Sequence, residues 1–140
     1  MAKPRLAAAL SSVLFLVFLF GALIAPSTAA SSEELLNAVK TVAAQTDKLR
    51  SMMADLNQSQ FKIVDVATVL SSSDESAFRA ALKKNASDIA DMRDTLNHTT
   101  MTGNDGVVMS AAKLLQGQEV KISQVVAISV SGNSITIYYQ

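Results

Sequence analysis

Val125-Val126-Ala127-Ile128-Ser129-Val130-Ser131-Gly132-Asn133-Ser134-Ile135-Thr136-Ile137-Tyr138-Tyr139 is the stretch whose reading decides the fold. Two runs rich in β-branched residues flank Gly132-Asn133, which supplies the positive-φ residues a tight connection demands. The pattern predicts a β-hairpin with strands over 125–130 and 135–139. Val126, Ile128 and Val130 share one face of the first strand, and Ile135, Ile137 and Tyr139 share one face of the second. A hairpin alone is marginal in water, so it needs a third strand and a helix.

The third strand has one candidate, Phe61-Lys62-Ile63-Val64-Asp65-Val66-Ala67-Thr68-Val69-Leu70, which is β-branched and lacks a helical period. A strand is expected most securely over 62–67. Val64 and Val66 share one face, Ile63 and Asp65 the other. The pattern leaves open whether this strand joins the hairpin in parallel or antiparallel.

Ahead of it, Leu35, Val39, Val42, Thr46, Leu49, Met53 and Leu56 recur at alternating four- and three-residue steps, a heptad stripe with one polar member. A helix is expected over 33–56, with Ser31 and Glu34 spaced as a capping box. A second stripe of the same kind runs Phe78, Leu82, Asn85, Ile89, Met92, Leu96. Ser72 and Glu75 have capping-box spacing at its start. Asn85 falls on this seam. Either it sets register, as a lone polar residue does in coiled coils, or the seam shifts by one and Ala86 faces the core. Residues 98–106 lose the period and end in turn chemistry around Gly103-Asn104-Asp105-Gly106. A short third helix is expected over 107–116, capped by Asn104 or Asp105 and closed by Gly117 in a left-handed conformation. The order α-β-α-α-β-β describes a small α+β domain: a three-stranded sheet ending in the hairpin, with helices packed on one face.

The chain begins with Lys3 and Arg5, then the apolar run Val13-Leu14-Phe15-Leu16-Val17-Phe18-Leu19-Phe20, then Pro26 and Ser27-Thr28-Ala29-Ala30. A positive n-region, an apolar h-region and a small-residue cleavage site are the parts of a secretory signal peptide. Residues 1–30 are read as that signal and 31–140 as one exported domain, periplasmic or secreted. An uncleaved segment, about long enough to span a bilayer, would instead anchor the same domain to the membrane.

Composition excludes several functions. Twelve Lys and Arg balance twelve Asp and Glu, and without Lys3 and Arg5 the remainder carries ten against twelve, a net of −2. That is no footprint for nucleic acid and no polybasic membrane patch. With no cysteine and no tryptophan, disulfide staples, Cys-ligated zinc, thiol nucleophiles and haem attachment are excluded, and stacking platforms are scarce. The short leader and absent disulfide scaffold suit a bacterial envelope.

Candidate chemistry is sparse. His98 follows Asp94 by four residues and Asp91 by seven, so on one helix they share a face that could hold a metal or relay a proton. That face lies away from the 78–96 stripe, and with Asp88, Arg93 and Lys84 it reads as solvated surface. Thioethers with a histidine are soft copper ligands, and His98 and Met101 are close in sequence, but Met53 and Met92 fall on core stripes. The other methionines here are Met52 and Met109. Asp65, between valines in the strand, is the carboxylate expected to be partly buried, as a strand-edge or capping group. No Gly-x-Ser-x-Gly elbow and no Gly-rich phosphate loop is present. Asn57-Gln58-Ser59, Asn85-Ala86-Ser87 and Asn97-His98-Thr99 match the N-glycosylation pattern and are read as chance matches.

No catalytic, cofactor-binding or metal residue is therefore assigned, and no cofactor. The expectation is a non-catalytic binding or structural module of the envelope, with a protein partner met by a helix stripe or a sheet edge, and homo-oligomerisation suggested by the heptads. The strand over 135–139, with no proline and no run of lysine, is the edge expected to accept a partner strand. The contrasting expectation is a small envelope hydrolase using scattered carboxylates or His98.

Overall fold

The computed structural model describes residues Ser31–Gln140; the signal-peptide reading of 1–30 lies outside the described residues. The elements are α1 (Ser32–Lys40), α2 (Val42–Met52), β1 (Phe61–Asp65), α3 (Glu75–Lys84), α4 (Ala86–Asn97), β2 (Thr100–Thr102), β3 (Val108–Ser110), α5 (Ala111–Gln116), β4 (Val125–Ser131) and β5 (Ser134–Tyr139). This is an α+β domain with a three-stranded mixed sheet ordered β1-β5-β4 and a separate two-stranded sheet of β2 and β3.

Each long helix foreseen from the stripes is broken once. Thr41 and Asn85 sit at the breaks with φ −113, ψ 25 and φ −107, ψ 19. The cause is local. Thr41 Oγ1 and Asn85 Nδ2 each donate to the carbonyl four residues back, of Asn37 at 2.7 Å and Ala81 at 2.8 Å, alongside their own backbone N–H. Polar side chains that bond the i−4 carbonyl bend a helix at that turn. Asn85 is thus half-buried at a bend, and the alternative seam through Ala86 is not formed: Ala86 is exposed, while Ala81 joins Phe78, Ile89, Met92 and Leu96 in the core.

α1 packs on α3, and α2 packs on α4. First half meets first half, so the two bent helices run side by side in the same direction, with their breaks at matching positions. Their stripes are consumed by this packing: Leu35, Val39, Val42, Leu49, Met92 and Leu96 are fully buried. Thr46 keeps its place on the stripe because its hydroxyl donates to Val42 O at 2.7 Å, leaving no unpaired polar atom. Met53 departs from its expected core position and is half-exposed, in a 3-10 turn that follows α2.

The hairpin forms as expected, with Gly132 at φ +58 as the first turn residue. Ile135 and Ile137 on one face of β5 and Tyr138 on the other are all excluded from solvent. β1 runs parallel to β5, with Phe61 opposite Ile135 and Asp65 opposite Tyr139. It ends two residues earlier than expected because Asp65 Oδ1 accepts from Ala67 N–H at 2.9 Å and starts a 3-10 turn over Val66–Thr68.

Five further expectations are corrected. The strand over 135–139 is not an edge: β5 is central, and the edges are β1 and β4. Residues 98–106 are not all loop, since β2 and β3 pair antiparallel there, and Thr102 N–H bonds Leu56 O at 3.0 Å. The third helix starts later, because Val108–Ser110 is strand and Ser110 Oγ, not Asn104 or Asp105, caps it through Lys113 N–H at 3.1 Å. Gly117 stays right-handed at φ −62, and Glu119 takes the left-handed conformation at φ 61. The Ser31 cap of α1 does form, with Ser31 Oγ accepting from Glu34 N–H at 3.1 Å. The Ser72–Glu75 cap does not: Ser72–Asp74 is a 3-10 turn, and Asp74 binds Ser32 and Ser71 instead.

Candidate functional site

The sheet has two edges, and strand parity decides which groups face outward on each. Ser131 and Ser134 close the two-residue turn, so Ser134 and Thr136 direct their main-chain groups to β4. Ile135, Ile137 and Tyr139 then direct theirs to β1. In a parallel ladder each bonds the two neighbours of the residue opposite it. The opposite residues, Phe61, Ile63 and Asp65, therefore present N–H and C=O to the outside.

On β4 two outward groups meet helix side chains. Val130 N–H donates to Gln45 Oε1 at 2.8 Å, and Val125 C=O accepts from Arg93 Nε at 2.7 Å. Gln45 is itself buried and oriented by Thr41 Oγ1, which accepts its Nε2 at 3.2 Å. Between Val125 and Val130, Ile128 N–H and C=O also face outward without a partner among the described residues, but Ile128 is fully buried, so β4 is covered where β1 is not.

On β1 only the two ends are closed. Phe61 N–H donates to Gln58 O within a 3-10 turn, and Thr68 Oγ1 donates to Asp65 O at 2.7 Å. Between them, Phe61 C=O, Ile63 N–H, Ile63 C=O and Asp65 N–H have no partner among the described residues. The side chains of Phe61, Ile63 and Asp65 are half-buried. Such an edge can take a strand. The sequence signal existed, in the β-branched run, but its place at the edge followed from the pairing of β1 with β5.

The candidate chemical groups do not converge. His98 lies at the end of α4, its side chain 72 % exposed, with Nδ1 2.9 Å from Asp94 O and 3.7 Å from Asp94 Oδ1. Asp91 turns instead to Arg50, whose guanidinium also reaches Asp47 and Thr95 Oγ1. These bonds, that to Asp91 foremost, hold the Arg50 guanidinium above its ordinary pKa. Among the described residues no three His, Asp or Glu side chains are grouped to hold a metal. Met101 is buried while His98 is exposed, so the two do not chelate together. Asp65 serves as a cap, as above.

One polar cluster was not foreseen. Asp74 Oδ2 accepts from Ser32 Oγ at 2.7 Å and from Ser71 Oγ at 3.0 Å, and Ser71 N–H donates to Ser32 Oγ at 3.2 Å. The two hydroxyls hold the Asp74 carboxyl below the usual range, Ser32 contributing most. The Asp74 carboxylate, its pKa lowered, is a weak base for a serine proton, and the cluster ties the start of α1 to the turn before α3.

Of the glycosylation-pattern asparagines, Asn57 and Asn97 are exposed and Asn85 is held in the bend of the second helix. Among the described residues, one surface concavity is lined by Lys40, Ala77, Ala80, Ala81, Lys84 and Asn85. Among the described residues no helix is long and apolar enough to cross a membrane. No protein-family model matches the chain, and no curated protein or solved structure matches it either.

Proposed function

We propose that this chain is an exported, non-catalytic association module of a bacterial envelope. Residues 1–30 act as its signal peptide, and the 31–140 domain binds a protein partner through the outer edge of β1. The observation that supports the reading is the unequal treatment of the two edges. β4 is buried along its length and tied at Val130 and Val125 by Gln45 and Arg93, whereas β1 is part-exposed and four of its main-chain groups stay open between two closed ends. Native folds blunt their edge strands, so a bare one is a place where pairing with another chain is expected. The helix stripes offer no such surface, since the domain's own packing uses them.

The test is a native mass spectrum of the protein recovered from its host's envelope. A mass beginning near Ser31 and carrying a second polypeptide is expected. A single chain at every concentration would overturn the association reading, and a mass retaining residues 1–30 would overturn cleavage and mark an anchored protein.

A further inference from the structure

The open groups of β1 form a set that is complementary to itself. In order along the strand they are an acceptor (Phe61 C=O), a donor and an acceptor (Ile63 N–H and C=O) and a donor (Asp65 N–H). Reversing the strand exchanges donors for acceptors and returns the same order. We propose that the partner of β1 is β1 of a second copy, paired antiparallel about a two-fold axis through Ile63. This names the partner in the association reading above and rests on it.

The register has one solution. In an antiparallel pair, residues that exchange both bonds alternate with residues that exchange none. With Ile63 opposite Ile63 of the second copy, each Ile63 N–H donates to the other's C=O. Each Asp65 N–H donates to the other chain's Phe61 C=O. All four open groups of each copy are used. The two groups such a ladder would otherwise need, Phe61 N–H and Asp65 C=O, are the ones Gln58 and Thr68 already occupy. Centring on Phe61 or Asp65 instead would leave open groups unpaired.

Side chains agree with this register. Ile63 meets its own copy, an apolar pair, and Lys62 stands opposite Val64, so no like charges oppose one another. A two-fold isologous contact closes on itself and stops at two chains, because β4, the other edge, is buried and bonded to helix side chains at Val130 and Val125. The product is a continuous six-stranded sheet. Its interface is a single five-residue strand pair, small by the standard of stable dimers, so a dissociation constant of the order of micromolar is expected.

Sedimentation and native mass spectrometry of the host-derived protein at about 1 and 100 µM, around that affinity, read the equilibrium. A concentration-dependent dimer is expected. Ile63→Pro removes the outward donor without touching the β1–β5 ladder, and should weaken the dimer about tenfold or more. Ile63→Val should leave it unchanged. Because the chain has no cysteine, Ile63→Cys gives an independent readout that does not require the proline variant to fold. Directly opposed residues that exchange both bonds lie about 5.5 Å apart at Cα, within disulfide range, so oxidation should link two chains there. Lys62→Cys, displaced diagonally from its own copy, should link poorly.

A monomer at about 100 µM, a dimer indifferent to Ile63→Pro, or equal cross-linking at positions 62 and 63 would overturn the self-pairing. A complex with a different polypeptide through β1 would overturn it while leaving the association reading standing. A lone chain under all conditions would remove both.

Discussion

Gln45 Oε1 accepts the Val130 N–H at 2.8 Å, a bond from α2 to the edge of the sheet across 85 residues of chain. Gln45 is 8 % exposed, so no water can replace it freely. The bond ties β4 to α2 and satisfies one outward main-chain donor of an edge that is itself buried.

Gln45→Ala leaves a buried main-chain donor unpaired and is expected to destabilise the domain by about 1–3 kcal/mol. For a domain of this size each kcal/mol corresponds to roughly 4–8 °C in Tm. Urea denaturation checks it; an unchanged midpoint would show that β4 does not need this bond.

Tyr138 is 1 % exposed, and burial foremost, with the Glu34 carboxylate second, pushes its hydroxyl up to about 12 from 10.0. The folded value lies above the unfolded one, so the neutral phenol's contribution is fully present below pH 10 and is lost as pH rises from about 10 towards 12. Comparing denaturation of the native protein and Tyr138→Phe over that window isolates the effect from the lysines. The native protein should lose of the order of 2 kcal/mol more than the variant.

Asp74 behaves in the opposite sense. Ser32 and Ser71 hold its carboxyl below 3.8, so its contribution is present above that pH and is lost as pH falls through the lower folded value. Asp74→Asn should flatten this acid limb. The midpoint of acid unfolding, followed by far-UV circular dichroism, should be less steep in the variant, and equal curves would show that the serine cluster does not tie α1 to α3.

Glu119 holds φ 61, a left-handed conformation that is unfavourable for a side chain by about 1–2 kcal/mol. Glu119→Gly should therefore stabilise the domain by about 1 kcal/mol. Gly117, right-handed and with an added Cβ in ordinary contact with Leu114 O at 3.4 Å and Lys113 O at 3.8 Å, should accept Ala with a change of no more than about 0.5 kcal/mol. Thermal melts of the two variants should move in this order, Glu119→Gly above Gly117→Ala.

His98→Ala, at an exposed helix end, should change stability by less than about 0.5 kcal/mol. Asp65→Ala removes the cap on Ala67 N–H and should cost about 1 kcal/mol. Loss of an enzymatic activity in a folded His98→Ala protein would reopen the hydrolase reading.

The readings that survive are those governed by neighbours in sequence. Most of the stripes at 35–56 and 78–96, the Ser31 cap and the Gly132 turn follow from residues within one or two turns of chain, and the structure has them, with Met53, Leu82 and Asn85 the stripe members that stay part-exposed. The misreadings share a cause too. Thr41 and Asn85 fit an uninterrupted helix by periodicity, and at both breaks the side chain turns back to the i−4 carbonyl. Val107 and Val108 read as helical apolar positions, yet Val108 is strand because β2 lies ready to pair with it. They are left 62 % and 68 % exposed.

By itself the sequence determined the class of the domain. It supplied β-branched runs that pair, heptad stripes that must be buried and a composition with no basic patch and no thiol. The tertiary structure alone decided which strand lies in the middle. β5 reads as an edge because nothing in its residues guards it, and it needs no guard because β1 pairs along its other side. An edge is defined by what is missing beside a strand, and that depends on contacts between segments some seventy residues apart, such as Ile63 opposite Ile137. Periodicity reports which face of a segment is buried. It carries no information about which of its main-chain groups find a partner.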